Sequence, residues 1–166
     1  AMRAIAEHSD KTYTLLYTKH TTLKIGMFAL ERMVQVMEMT QAAMVYADHY
    51  QQIDGVQKTA PVIDYQPGSL RDDFNFGSVL LFNANAFKEV IENTEEEYQY
   101  AGLYDLRLKI SQKSKLVHIN EYLYTEVESD KRKSGEKQFD YVDPKNRQVQ
   151  IEMEQACTNH LKEIGG

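Results

Sequence analysis

Met44-Val45-Tyr46-Ala47-Asp48-His49-Tyr50-Gln51-Gln52-Ile53-Asp54-Gly55 is the stretch whose reading decides the fold class of this chain. Ala42 to Ala47 is a short, continuous apolar run, which predicts a buried strand. Asp54-Gly55 is a turn signal. Upstream, Gly26 precedes a stretch in which Met27, Leu30, Met33, Val34 and Met37 recur at helical spacing, with Glu31, Arg32, Gln35 and Glu38 on the other face. The methionine stripe reads as core, because unbranched thioethers fill irregular gaps. Before it, Thr12 to Tyr17 is short and β-rich and predicts a second buried strand. Arg3 to His8 reads as the end of a helix. Strands alternating with helices predict an α/β fold with a mostly parallel sheet flanked by helices.

Downstream, Pro61 and Gln66-Pro67-Gly68-Ser69 punctuate a loop-rich stretch. Ser78 to Phe82 is a strongly apolar strand candidate. Asn83 is placed to cap a short helix through Ile91, with Ala86, Phe87, Val90 and Ile91 inward. Glu92 to Glu97 is acidic and reads as exposed. Leu103 to Ile110 predicts a helix with Leu103, Leu106 and Ile110 on one face and Leu108 off it. Lys115 to Ile119 and Tyr122 to Val127 predict two more strands. Glu128 to Gln138 is polar and charged and reads as a loop. Asp143-Pro144 opens a last helix, with the aspartate as cap and proline at the first position. On that helix Val149, Met153, Ala156, Cys157, His160, Leu161 and Ile164 share a stripe. The expected organisation is a domain over residues 1–143 and a C-terminal helix, 144–166, that packs on it or links to a following domain.

The chain has 166 residues, 42% hydrophobic and 27% charged, enough for one domain with its own core. No apolar run reaches the roughly 20 residues that span a bilayer. Ala1 to Asp10 carries Arg3, Glu7 and Asp10 among its apolar residues, unlike a signal peptide. The single cysteine, Cys157, excludes an internal disulfide and gives no metal cluster. The expected compartment is the cytoplasm. A net charge of −6 argues against nucleic acid as a partner. The densest basic run, Lys131-Arg132-Lys133, is flanked by Glu126, Glu128, Asp130 and Glu136 and also reads as a solvated charged loop.

Five phrases run in order down the chain. They are Thr14-Leu15-Leu16-Tyr17-Thr18-Lys19, Met44 to Gly55, Phe74-Asn75-Phe76-Gly77-Ser78-Val79-Leu80-Leu81-Phe82, Tyr104-Asp105-Leu106-Arg107-Leu108, and Val117-His118-Ile119-Asn120-Glu121-Tyr122-Leu123-Tyr124. Their order and spacing resemble the catalytic half of a family-2 glycosyltransferase with the GT-A fold. The resemblance implies transfer of a sugar from a nucleotide-sugar donor to a glycan or polysaccharide precursor. It covers most of the chain and lacks the family's amino-terminal nucleotide-binding half. The stretch from Arg147 to Gly165 is similar to the tail helix that joins such a domain to a further glycosyltransferase domain in the same chain.

Sugar transfer needs a positive group to neutralise the leaving diphosphate and a carboxylate to take the acceptor proton. Family-2 enzymes place an Asp-x-Asp metal motif where this chain has Tyr17-Thr18-Lys19-His20. No metal ligand is expected there, and magnesium or manganese would need an atypical site. Lys19 could neutralise a diphosphate directly, or it is a surface lysine at a strand end. Asp48 matches the family's Tyr-Ser-Asp phrase. Asp48 and His49 are adjacent on an extended chain and point to opposite sides, so the pair alone is a poor metal site. The residue at the usual base position is Leu103, which accepts no proton. Asp105 matches the family's second aspartate and is either the nearest carboxylate to an acceptor or a helix cap. Arg71, Asp72 and Asp73 stand where the family shapes its acceptor pocket, and they read equally as a loop salt bridge. His118, between Val117 and Ile119, reads as a satisfied core histidine. Lys131, Arg132, Lys133 and Ser134 fall where the family's loop folds over the diphosphate.

Two readings follow in the sugar class. One is a glycosyltransferase domain. The other is a degenerate module that binds a glycan or supports an active domain. A third makes the apolar stripe of the last helix an oligomer interface. A glycan site built on Asp48, Arg71, Asp72 and Asp73 requires those four to converge in one cleft, and finding them scattered counts against both sugar readings.

Overall fold

The structure, a computed structural model, describes residues 1–128 and 144–165. Its elements are α1 (Met2–His8), β1 (Tyr13–Tyr17), β2 (Thr22–Ile25), α2 (Ala29–Thr40), β3 (Ala42–Ile53) and β4 (Val56–Ala60). They continue with β5 (Val79–Asn83), α3 (Ala84–Glu92), α4 (Gly102–Lys113), β6 (Lys115–Glu128) and α5 (Pro144–Glu163). The expected cap Asp143 and the basic run Lys131-Arg132-Lys133-Ser134 lie outside the described residues.

The fold is α/β, with one six-stranded sheet in the order β1-β5-β3-β6-β2 and β4 paired to β3. The expectation of a mostly parallel sheet is corrected. Only β3 and β6 pair in parallel; the β1–β5, β3–β5, β3–β4 and β2–β6 pairs are antiparallel. Two physical reasons account for the difference. First, the turn at Asp54-Gly55 has positive φ at both residues, 50° and 81°, the geometry that folds a strand straight back on itself. It creates β4, whose side chains are almost all exposed and give no apolar pattern. Second, β5 enters between β1 and β3 and runs against both. β1 and β3 keep a common direction, as the strand–helix–strand pattern implied, without touching.

The sheet carries helices on both faces. On one face Tyr46, Leu80 and Phe82 pack with Phe87, Val90 and Ile91 of α3 and Leu106 and Ile110 of α4. On the other, Val45, Ala47, Val79 and Leu81 pack with Met33 and Met37 of α2 and with Tyr124. Met33 and Met37 are core, as their spacing predicts. Met27 is 86% exposed, because α2 begins only at Ala29. β1 is an edge strand and not a buried one: Thr14 is its one buried residue and Leu15 is exposed.

α4 is buried on two sides. Leu106 and Ile110 face the sheet, while Tyr104 and Leu108 pack with Ala156 of α5. Leu108 lies off the sheet-facing stripe because it belongs to this second contact. The residue at the N-cap of α4, Ala101, offers no side-chain cap. Glu152 of α5 does so across the interface, accepting hydrogen bonds from the Tyr100 and Ala101 amides at 2.7 and 3.1 Å. α3 is capped as its sequence predicts, with Asn83 Oδ1 accepting from the Asn85 and Ala86 amides at 3.1 Å. The two strands expected over Lys115–Val127 are one long strand with a bulge. Ile119 pairs with Ala47, Tyr122 with Asp48 and Tyr124 with His49, so Asn120, Glu121 and Leu123 are extra residues on β6.

Candidate functional site

β3 delivers two polar side chains, Asp48 and His49, to opposite faces of the sheet. Each ends in its own network. Asp48 is 2% exposed. Its Oδ1 accepts from the Val62 amide at 2.8 Å and lies 2.8 Å from His118 Nε2. The other ring nitrogen of His118 lies 2.7 Å from Asp64 Oδ1, so the imidazole sits between two carboxylates. The Tyr46 ring stacks on His118 with centroids 5.3 Å apart, and the Tyr46 hydroxyl donates to the Ile63 carbonyl at 2.8 Å. Together these contacts tie the segment after β4 onto the sheet.

Arg107 of α4 holds the rest of that segment. It is 3% exposed and donates to the carbonyls of Ser69 and Arg71. Its guanidinium stands over the rings of Tyr104, Tyr65 and Phe76 at 4.8, 5.7 and 5.7 Å. A planar cation on several aromatic faces is a desolvated cation–π arrangement. The result is a cleft of about 230 Å³ between Phe74, Phe76, Tyr104, Arg107, Leu103 and Asp72.

On the opposite face, Lys19 at the end of β1 donates to Glu126 and to Glu128, the latter at 2.9 Å. Glu126 is 1% exposed. Burial alone would push its carboxyl up; the hydrogen bond from Lys19 and the neighbouring positive charge outweigh this and hold it below the usual glutamate range. Burial works against the Lys19 charge as well, and the two glutamates more than compensate, so the lysine holds its proton tightly. His49 Nε2 lies 3.3 Å from Glu126 Oε1, and its ring stacks on Tyr124 at 4.9 Å. Burial pushes the His49 imidazole down, toward the neutral form. His49 Nδ1 and Ser78 Oγ are buried and have no hydrogen-bond partner among the described residues. Gly77, at φ 74°, closes over this network: a Cβ there would overlap the Tyr124 hydroxyl and stand 3.4 Å from His49 Nδ1.

Asp105 lies in the first turn of α4 and is not its cap. It is 4% exposed and pairs with Lys109 Nζ at 2.9 Å. Burial raises its carboxyl above the usual value against the pull of Lys109. It lines a second cleft, of about 390 Å³, with Thr94, Glu96, Tyr98, Tyr100 and Leu103. Tyr100 and Leu103 are the wall between the two clefts.

The candidates therefore do not share one site. Asp48 is sealed under the segment after β4. Arg71 and Asp73 form an exposed pair at 3.0 Å. Asp72 alone of the four lines a cleft. Lys19 sits on the far face of the sheet, already matched by two glutamates. Among the described residues no three His, Cys, Asp or Glu side chains form a metal-holding group. Sequence reasoning missed Glu126, Glu128, Asp64 and Arg107. The glutamates were findable: Tyr124, Glu126 and Glu128 alternate along β6 and so share a face. Asp64 and Arg107 left no such signal, because a loop fold brings their partners to them.

No protein-family model and no curated protein matches this chain.

Proposed function

We propose that this chain is a glycosyltransferase-like domain of the family-2 type that binds an acceptor sugar and does not itself transfer one. It would belong to a cytoplasmic protein moving sugar from a nucleotide-sugar donor to a glycan or polysaccharide precursor. The observation that carries the reading is the neutralisation of Lys19. At the strand end where the family holds a diphosphate, Lys19 is bound by Glu126 and Glu128. A diphosphate arriving there would have to displace two carboxylates, one of them buried. The base position supports the same conclusion, since Leu103 lines the cleft beside Asp105 and accepts no proton.

The sugar site we propose is the aromatic cleft. Phe74, Phe76 and Tyr104 offer ring faces to sugar C–H groups, and Asp72 accepts from hydroxyls. At about 230 Å³ the cleft falls below the range of about 300–1,000 Å³ typical of larger ligands, so it suits a sugar ring better than a whole nucleotide sugar. The oligomer reading has less support: Ala156 and His160 of the α5 stripe are buried and Met153 and Cys157 pack in the cluster shared with α4, while Ile164 stays exposed.

Thermal unfolding with ligand panels tests the proposal. Nucleotide sugars at millimolar concentration, with or without manganese, are expected to leave the melting temperature unchanged. Free monosaccharides are expected to raise it saturably, and Asp72→Ala to abolish the rise. A ligand at a hundred times its Kd would stabilise by about 2.7 kcal/mol, well within detection. A manganese-dependent rise with a donor would overturn the degenerate reading.

A further inference from the structure

The upper part of the sheet has a face that the cleft does not use. Lys24, Thr125, Tyr50 and Thr59 lie side by side across β2, β6, β3 and β4, each the register partner of the next. Gln52 and Gln57 face each other in the following row. Tyr122, one row below, stacks on Tyr50 with ring centroids 4.8 Å apart and planes 25° from parallel. Lys24 reaches along the same face to donate to Gln52 at 3.2 Å. α2 packs on the other side of the sheet, with Tyr124 and Val45. Tyr122 is 39% exposed, and Tyr50, Thr125 and Gln52 are half-buried.

The chemistry of this face is selective. The chain holds 25 acidic and 19 basic residues, yet the side chains named here carry one charge, on Lys24. Of the carboxylates below it, Asp48 is buried and engaged by His118 and the Val62 amide, while Asp64 is exposed and bonded to the other His118 nitrogen. What remains is a pair of stacked phenol rings bordered by amides and hydroxyls. Such rings give a rigid apolar surface with a polar edge at low entropic cost. A protein partner would want a larger apolar centre, and a nucleic acid a cluster of cations. Four strands about 4.8 Å apart make a platform wide enough for a chain of sugar rings.

We propose that this face binds a neutral glycan chain, a sugar ring lying on the face of Tyr122 that its stack with Tyr50 leaves open and the hydroxyls meeting Gln52, Gln57, Thr59 and Thr125. The inference rests on the sugar reading for its ligand class and uses none of the residues of the aromatic cleft.

Native electrophoresis through gels containing hydroxyethylcellulose, galactomannan, dextran or alginate tests it. At least one neutral polymer is expected to retard the protein. Tyr122→Ala should weaken that retardation roughly fivefold to tenfold, and Tyr122→Phe should keep it. Amide shifts of the wild-type protein on adding the retarding polymer should cluster at Tyr50, Gln52, Tyr122 and Thr125, which keeps the test independent of how any variant folds. Retardation by alginate alone, none by any neutral polymer, or shifts centred on Phe74 and Phe76 would overturn the proposal. Binding here with no monosaccharide effect on melting would sink the cleft and leave this face standing.

Discussion

The two sides of β3 at Asp48 and His49 solve the same problem with opposite risk. Both bury a carboxylate. Beneath the segment after β4, Asp48 is satisfied by a backbone amide and by His118, and the imidazole's second nitrogen reaches Asp64, which is 89% exposed. The chain of polar groups ends in water. Across the sheet, Glu126 depends on Lys19, and the same network leaves His49 Nδ1 and Ser78 Oγ unpartnered. A buried charge with one strong counter-ion is costly to disturb, whereas a relay that ends in solvent can shed its last member cheaply.

The sharpest test of that contrast removes Lys19. Lys19→Ala leaves the buried Glu126 without its lysine, beside a His49 imidazole that burial pushes toward the neutral form. Removing one partner of a fully buried pair costs about 3–5 kcal/mol. Lys19 is 35% exposed, so solvent screens part of its contribution and a loss of about 2–3 kcal/mol in urea unfolding is expected. The pair replaced together, Lys19→Met with Glu126→Met, should recover most of the loss. If Lys19→Ala unfolds at the wild-type urea midpoint, the network contributes nothing and the contrast collapses.

Acid should act on the same side. Glu126 titrates below its ordinary value in the folded protein, so its contribution is present above the unfolded glutamate pKa. It disappears as pH falls through the depressed folded one. Asp105 has the opposite sign: raised by burial, it favours the folded state at low pH and loses that contribution as pH rises through its folded value. Comparing wild type with Glu126→Gln isolates the first effect. The variant should lose part of the acid-induced decline in stability below about pH 4.5, the ordinary carboxylate range, and parallel curves would show that Lys19 does not hold Glu126 ionised.

How much of this was legible follows from which contacts are local. The helix over Leu103–Ile110, the Asn83 cap and the Asp54-Gly55 turn are written within a few residues of each other, and each is found where the sequence places it. The opposite directions of Asp48 and His49 follow from strand geometry alone. The sheet's mixed direction was hidden, because β2 and β4 are exposed strands with no apolar alternation and β5 pairs across a long sequence gap. The site was hidden for a related reason. Lys19 meets Glu126 across 107 positions and Arg107 meets Ser69 across 38, so neither partner is implied by its neighbours in sequence. A lone lysine at a strand end looks the same whether it awaits a phosphate or already answers two carboxylates.

The smallest expected effect lies on the quiet side of β3. Asp64→Asn removes one charge from the exposed end of the relay, and exposed pairs contribute about 0–1 kcal/mol. His118 keeps its contact with Asp48, and the asparagine amide, which can donate or accept, can still bond the second imidazole nitrogen. Unfolding midpoints should therefore move by no more than about 0.5 kcal/mol equivalent. Asp48→Ala should cost about 1–3 kcal/mol, because it strips the Val62 amide and His118 Nε2 of their acceptor in a buried place. The ratio between the two is the informative quantity. Equal losses would mean that Asp64 is as structural as Asp48, and that the segment after β4 is held by its rim instead of by the buried carboxylate beneath it.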